Sequence, residues 1–263
     1  MIDKSIKLYS VFHKPFIQPK ENFVIPIHAG KALSNQKLDF LEDNTGDNIS
    51  ELNSTFCELT AQYWIWKNED RSRCDIWGMC HYRRYFTTEN WFNATFKNKR
   101  TYTKIIDQQN LDNVVSQKLY TQMQEILQTS DVILPKPMVI AKRNGVKLTL
   151  EEHYSTDHFE NDWKTTIDVI TEKYPDYLKS IPTFNNSTTM SFFNMMIAPW
   201  KIWDAYLTWL FDVLLEVKNR IKVSDDPYQK RVFGFLSERL INLYVHHNKL
   251  KIAYLPVAVF DNK

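Results

Sequence analysis

Four consecutive residues, His81-Tyr82-Arg83-Arg84, close the apolar run Asp75-Ile-Trp-Gly-Met-Cys80 and are followed by Tyr85-Phe86. Two guanidiniums beside aromatic rings bring together what a nucleoside diphosphate requires. Arginine offers planar, permanently charged, bidentate donors for phosphate oxygens, and the rings offer flat surfaces for a base. The competing use is structural: a sheet-end cluster whose arginines pair with acidic neighbours and lie over the rings. Neighbouring positions on a strand point to opposite faces, so one of the two arginines is expected to face a ligand.

Other residues are chemically able but less clustered. Glu238-Arg239 stands among Phe233, Phe235, Leu236 and Leu240. In a helix this is either a partly buried ion pair or a site carboxylate whose burial raises its pKa toward the range of a general base. His153, Asp157, His158 and Asp162 follow one another at spacings of four, one and four, so His158 and Asp162 would share a face of one polar helix. Such a face could hold a divalent cation or a sugar, or simply be solvated. Asn194 interrupts an apolar stretch, where its amide needs a partner, either a sugar hydroxyl or a neighbouring loop. Cys80 beside His81 is read as a buried structural thiol, because strand neighbours diverge.

Several chemistries are disfavoured. The five glycines are scattered, so neither a dinucleotide fingerprint nor a P-loop is present, and no G-x-S-x-G elbow occurs. Cys57, Cys74 and Cys80 form no zinc-ligand spacing and read as thiols in a reducing compartment. With 33 basic and 31 acidic residues the chain lacks the charge footprint of a nucleic-acid binder, so no nucleic-acid partner is expected. No run is long and apolar enough for a spanning helix, and no signal peptide is evident, which suggests a cytoplasmic protein.

The elements that would position these residues alternate between strand and helix. Strands are expected at Ile6–Phe12, Phe23–Ile27, Asp75–Cys80, Asp131–Pro135, Met190–Ala198 and Ala253–Phe260. Helical periodicity marks Ser50–Asn68, Asn110–Thr129, Glu151–Tyr174, Trp200–Val217 and Tyr228–His247. The pattern predicts one α/β domain over residues 1–263 with a mostly parallel central sheet flanked by helices. It also places the His81–Arg84 string at the carboxyl end of a buried strand, where open α/β sheets bind ligands. Trp200, Trp203, Tyr206 and Trp209, beside Lys218, Arg220 and Lys222, would suit a peripheral membrane contact; packing of that helix on the sheet is the alternative.

Several blocks in order, Glu58-Leu-Thr-Ala-Gln-Tyr-Trp-Ile-Trp-Lys-Asn68, Gly78-Met-Cys-His-Tyr-Arg-Arg-Tyr-Phe86, Asp131-Val-Ile-Leu-Pro135, Asn194-Met-Met-Ile and Gly234-Phe-Leu-Ser-Glu-Arg-Leu240, resemble a bacterial glycosyltransferase family. It is the one catalogued as domain of unknown function 4422, found in capsule and exopolysaccharide gene clusters. The resemblance implies a GT-A-like fold and a nucleotide-sugar donor, UDP-linked, with galactofuranose among the sugars. It further implies a capsular, exopolysaccharide or O-antigen acceptor, free or lipid-linked, met in the cytoplasm or at the inner face of the plasma membrane. The expected donor contacts are His81, Tyr82, Arg83, Arg84, Glu58, Asn194 and Arg239. Glu238 is expected to be the acceptor-activating base, with Asp162 as its alternative and His158 as an acceptor or sugar contact.

GT-A enzymes place a metal-binding Asp-x-Asp after a central strand, but this chain has no Asp-x-Asp and carries His81–Arg84 there. No cofactor or metal ligand set is therefore predicted at that position; Arg83 and Arg84 are its available cations. A divalent ion would be sought first at His158 and Asp162. A catalytically silent nucleotide- or carbohydrate-binding module with the same fold is the alternative reading. A glycoside hydrolase would need paired carboxylates, and the sequence presents no convincing pair.

Overall fold

The computed structural model describes residues 5–88, 101–142 and 144–261. Its strands are β1 (Ile6–Phe12), β2 (Val24–His28), β3 (Leu41–Glu42), β4 (Ile76–His81), β5 (Arg84–Phe86), β6 (Thr101–Ile105), β7 (Val132–Pro135), β8 (Met138–Val139), β9 (Thr189–Met190), β10 (Ile197–Pro199), β11 (Ile252–Leu255) and β12 (Val257–Asp261). Its helices are α1 (Asn53–Phe56), α2 (Leu59–Asn68), α3 (Gln108–Val114), α4 (Gln117–Ile126), α5 (Leu150–Asp157), α6 (Glu160–Lys173), α7 (Ile181–Asn185), α8 (Trp200–Arg220) and α9 (Val232–His247).

The main sheet runs β11-β7-β10-β4-β1-β2-β3, and β5, β6 and β12 extend it as a branch. Pairings β1–β2, β1–β4, β2–β3, β7–β11 and β6–β12 are parallel, while β10 is antiparallel to both its neighbours. The expected mostly parallel sheet flanked by helices is what the chain forms. Alternation along the strands divides the core in two. Tyr9, Val11, Trp77 and Met79 face the layer containing α2, α6, α8 and α9, and Ile6, Leu8, Ile76 and Cys80 face α3 and α4. Gly78 sits where Leu8 and Ile197 from the flanking strands close over it; a Cβ there would lie 2.7 Å from Leu8 Cδ1. A side chain at that position would force the central strands apart.

Several expected elements are broken by tertiary demands. The helix read over Ser50–Asn68 splits at Cys57, whose φ is 52°, and the Asn53 side-chain amide binds the Cys57 carbonyl at 2.7 Å. The span Asn110–Thr129 divides into α3 and α4, and Glu151–Tyr174 divides into α5 and α6. α5 starts at a capping box in which Thr149 and Glu152 satisfy each other's backbone amides. The last strand divides around Pro256, so that β11 pairs with β7 while β12 serves the branch. The strand read at Met190–Ala198 survives only at its two ends, in β9 and β10.

None of the described helices is long and apolar enough to cross a membrane. Trp203, Tyr206 and Trp209 of α8 are buried in the core, so packing on the sheet, rather than a bilayer, accounts for these rings.

Candidate functional site

An open cleft of about 710 Å³ lies beyond the carboxyl ends of β1 and β4. It is bounded by the β4–β5 hairpin, the α1–α2 junction, a turn at Phe193–Asn194 and the N-terminal half of α9. This is where an open α/β sheet offers a ligand site.

The His81–Arg84 string is a tight hairpin: His81 pairs with Arg84, and Tyr82-Arg83 forms the turn. His81, Tyr82 and Arg84 line the cleft. The Arg84 guanidinium lies 5.1 Å from the centre of the Phe193 ring. Arg83 points away from the cleft. Its Nε donates to the Phe260 carbonyl at 2.7 Å and its other donors meet the Asp261 carboxylate, so it ties the hairpin to β12. Of the two arginines expected at a donor, the geometry brings Arg84 alone to the cleft.

His81 is buried, and burial holds its pKa below the usual histidine range against the opposing pull of Glu58. A neutral ring has one N–H; Nε2 contacts the Phe193 carbonyl, which only accepts, so Nε2 carries the proton. The Tyr82 ring packs against Phe12, His13 and Phe16 at centroid distances of 5.9, 4.9 and 5.1 Å.

Phe193 and Asn194 have φ of 85° and 50°. Among the described residues five non-glycine residues have positive φ, and three of them, Cys57, Phe193 and Asn194, line the cleft. Such conformations cost on the order of 1–3 kcal/mol each and persist where surroundings over-determine them. Here the surroundings are clear. The Glu238 carboxylate accepts the Phe193 N–H at 2.6 Å, and His81 holds the Phe193 carbonyl. The Asn194 amide donates to Glu58 at 2.7 Å and to the Gly234 carbonyl at 3.0 Å. Asn242 brackets Ser191 through both its N–H and its C=O, each at 2.9 Å. Of the two partners expected for Asn194, a sugar hydroxyl or a neighbouring part of the protein, its amide nitrogen takes the second, joining the α1–α2 junction to α9.

Glu58 and Glu238, 180 positions apart in the chain, share the cleft. Glu238 is partly buried, with 21% of its side chain exposed, and burial raises its pKa above the ordinary carboxylate value, with Glu58 adding to the rise and Arg239 opposing it. Arg239, expected at the donor, is buried behind Glu238 at 3.9 Å and does not line the cleft. Its guanidinium donates to the Phe235 carbonyl at 2.9 Å, meets His153 Nδ1 at 3.0 Å and lies 4.8 Å over the Tyr154 ring.

His158 and Asp162 do not share a helical face. α5 ends at Asp157, His158 is extended, and Asp162 lies in the first turn of α6. Asp162 is buried away from the cleft lining, and burial raises its carboxyl to about 6. His158 touches the cleft indirectly, stacked on Phe235, which lines it. Among the described residues no group of three or more His, Cys, Asp or Glu side chains could hold a metal ion. Each of the two cleft carboxylates spends one oxygen within the protein, Glu58 on the Asn194 amide and Glu238 on the Phe193 N–H.

Sequence reasoning missed Arg231, which reaches the cleft from the start of α9, donates from Nε to Cys57 Sγ at 3.4 Å and lies 5.4 Å from the Phe235 ring centre. The available signal was spacing: Arg231, Gly234, Phe235 and Glu238 fall on one helical face, and all line the cleft. His13 and Asn53 also line it and had no local signal.

The family described as Domain of unknown function (DUF4422) matches residues 7–249. The solved apo structure of WbbM, a bifunctional glycosyltransferase, is similar at 28% sequence identity and a TM-score of 0.84. That similarity covers 98% of this chain, which spans 46% of the WbbM chain. No curated protein matches.

Proposed function

We propose that this chain, which belongs to the family described as Domain of unknown function (DUF4422), is a glycosyltransferase that uses a nucleotide-sugar donor in the cleft between the β4–β5 hairpin and α9. The observation that carries this reading is that Arg84 and Arg231 enter from two walls the same cleft that holds Glu238. The fold shared with a glycosyltransferase supports it.

In this reading the donor diphosphate lies against Arg84 and Arg231, with Tyr82 and His13 on the β1 side of the cleft. Glu238 takes the proton of the acceptor hydroxyl as that oxygen bonds to the anomeric carbon. The bond from the anomeric carbon to the diphosphate oxygen breaks, and its electron pair leaves with the nucleoside diphosphate. Fixed guanidiniums stabilise the departing charge without reorganising. A raised carboxyl pKa strengthens Glu238 as a base near neutrality. Family resemblance extends the reading to a UDP-linked hexosyl donor, with galactofuranose a candidate, and to a capsular, exopolysaccharide or O-antigen acceptor, free or lipid-linked.

The experiment is incubation with a panel of UDP-, GDP- and dTDP-sugars, UDP-galactofuranose included, with and without glycoside acceptors, following release of the nucleotide. Release from UDP-sugars is expected. Binding without turnover across donors and acceptors would instead favour a silent binding module.

A further inference from the structure

The rim of the cleft carries an aromatic stack that neither the diphosphate nor the base uses. Tyr228, 54% exposed, leans on Phe235 with ring centres 5.1 Å apart. His158 stacks on the Phe235 ring at 4.0 Å and 20°, and lies at 22° to Tyr228. Burial lowers the His158 pKa to about 4, so its ring is neutral at pH 7, and its Nδ1 is held by the Gln229 side chain at 3.0 Å. Tyr228 is therefore backed by an uncharged imidazole, while the Arg231 guanidinium lies 5.4 Å from the Phe235 ring centre.

That surface is built to stay in place. The Asp226 carboxylate accepts the backbone N–H groups of Tyr228 and Gln229, both at 2.9 Å, and the Ser224 hydroxyl accepts that of Asp226 at 3.1 Å. These bonds fix the backbone under Tyr228, so an exposed ring is presented at small entropic cost. Its position matters more than its exposure. Arg231, Phe235 and Glu238 succeed one another at spacings of four and three along one side of α9, and Tyr228, just before the helix, packs against Phe235. At the helical rise, Phe235 lies about 4.5 Å before Glu238 along the axis of α9. An aromatic face suits the apolar C–H face of a sugar.

We propose that Tyr228, backed by Phe235 and His158, forms the acceptor subsite, a platform on which a sugar ring of a glycan acceptor lies with its free hydroxyl toward Glu238. The inference rests on the reading of this cleft as a sugar-transfer site. It is tested on the intact chain by saturation-transfer NMR with methyl β-D-galactopyranoside and methyl β-D-glucopyranoside, beside calorimetric titration with UDP. Transfer to the sugar ring protons is expected in the wild type and in Tyr228→Trp, and a fall of at least about fivefold in Tyr228→Ala, with UDP affinity unchanged. Equal signals in wild type and Tyr228→Ala, or none in the wild type, would overturn the platform. Glycoside signals that depend on Tyr228 in a protein that fails to bind UDP would support the platform while refuting the nucleotide-sugar donor.

Discussion

Two regions of this molecule hold nearly the same set of side chains and put them to different uses. The cleft gathers His13, His81, Glu58, Glu238, Arg84 and Arg231, and the corner between α5 and α6 gathers His153, His158, Asp157, Asp162 and, from α9, Arg239. In the corner the groups answer one another. His153 contacts Arg239 at 3.0 Å and Asp157 at 3.3 Å, and His158 contacts Gln229 at 3.0 Å. In the cleft the guanidiniums lie over rings beside an open volume, and the backbone that frames it is held at left-handed φ by the carboxylates themselves. Residue type does not separate the two regions. An adjoining void and a strained, clamped frame do.

The comparison breaks most readily at Glu238. Replacement by Gln keeps an oxygen to accept the Phe193 N–H but removes the proton acceptor. Turnover should fall by about 10²–10⁴-fold, with an unchanged far-UV circular dichroism spectrum. Near-normal turnover would return Glu238 to a purely structural role. Burial raises this carboxyl above the ordinary range, so wild-type activity should climb with pH on a limb displaced upward from that range, as the carboxylate forms.

The corner gives a smaller effect of opposite sign. Asp162 is raised from 3.8 to about 6 by burial, so the folded protein retains a proton that the unfolded chain has lost. Its contribution is most favourable at acid pH and declines as pH rises between about 4 and 6. Asp162→Asn removes the buried charge and should stabilise the protein above pH 6 by roughly 1–3 kcal/mol, with little change below pH 4. Urea unfolding at pH 4 and pH 7.5 checks this. A loss of stability at pH 7.5, or of nucleotide release, would place Asp162 in the working site.

Much of the fold was legible because it is local. β1 matches its expected bounds, and the apolar runs at β4 and β7 are uninterrupted β-rich segments. The breaks were not legible, because they depend on partners distant in sequence. Asn194 takes its conformation with help from Glu58, 136 positions away, and the kink at Cys57 looks like continuous helix to a periodicity that runs from Phe56 to Leu59. The site divides in the same way. The His81–Arg84 string announced itself, but which arginine faces the cleft depends on the turn and on β12, whose Phe260 and Asp261 claim Arg83. Arg231 stayed hidden because a single arginine at a helix start is an ordinary surface residue until Glu238 is seen to share its face.

The arginines test the central claim most directly. Calorimetric titration of UDP into wild type, Arg84→Ala, Arg231→Ala and Arg83→Ala separates cleft from hairpin anchor in one series. Loss of a charge-assisted phosphate contact is worth roughly 1.5–3 kcal/mol, so Arg84→Ala and Arg231→Ala should each weaken binding by about tenfold to a hundredfold. Arg83→Ala should stay within about twofold of wild type. A loss at Arg83 as large as that at Arg84, or unchanged affinity in both cleft variants, would contradict the account.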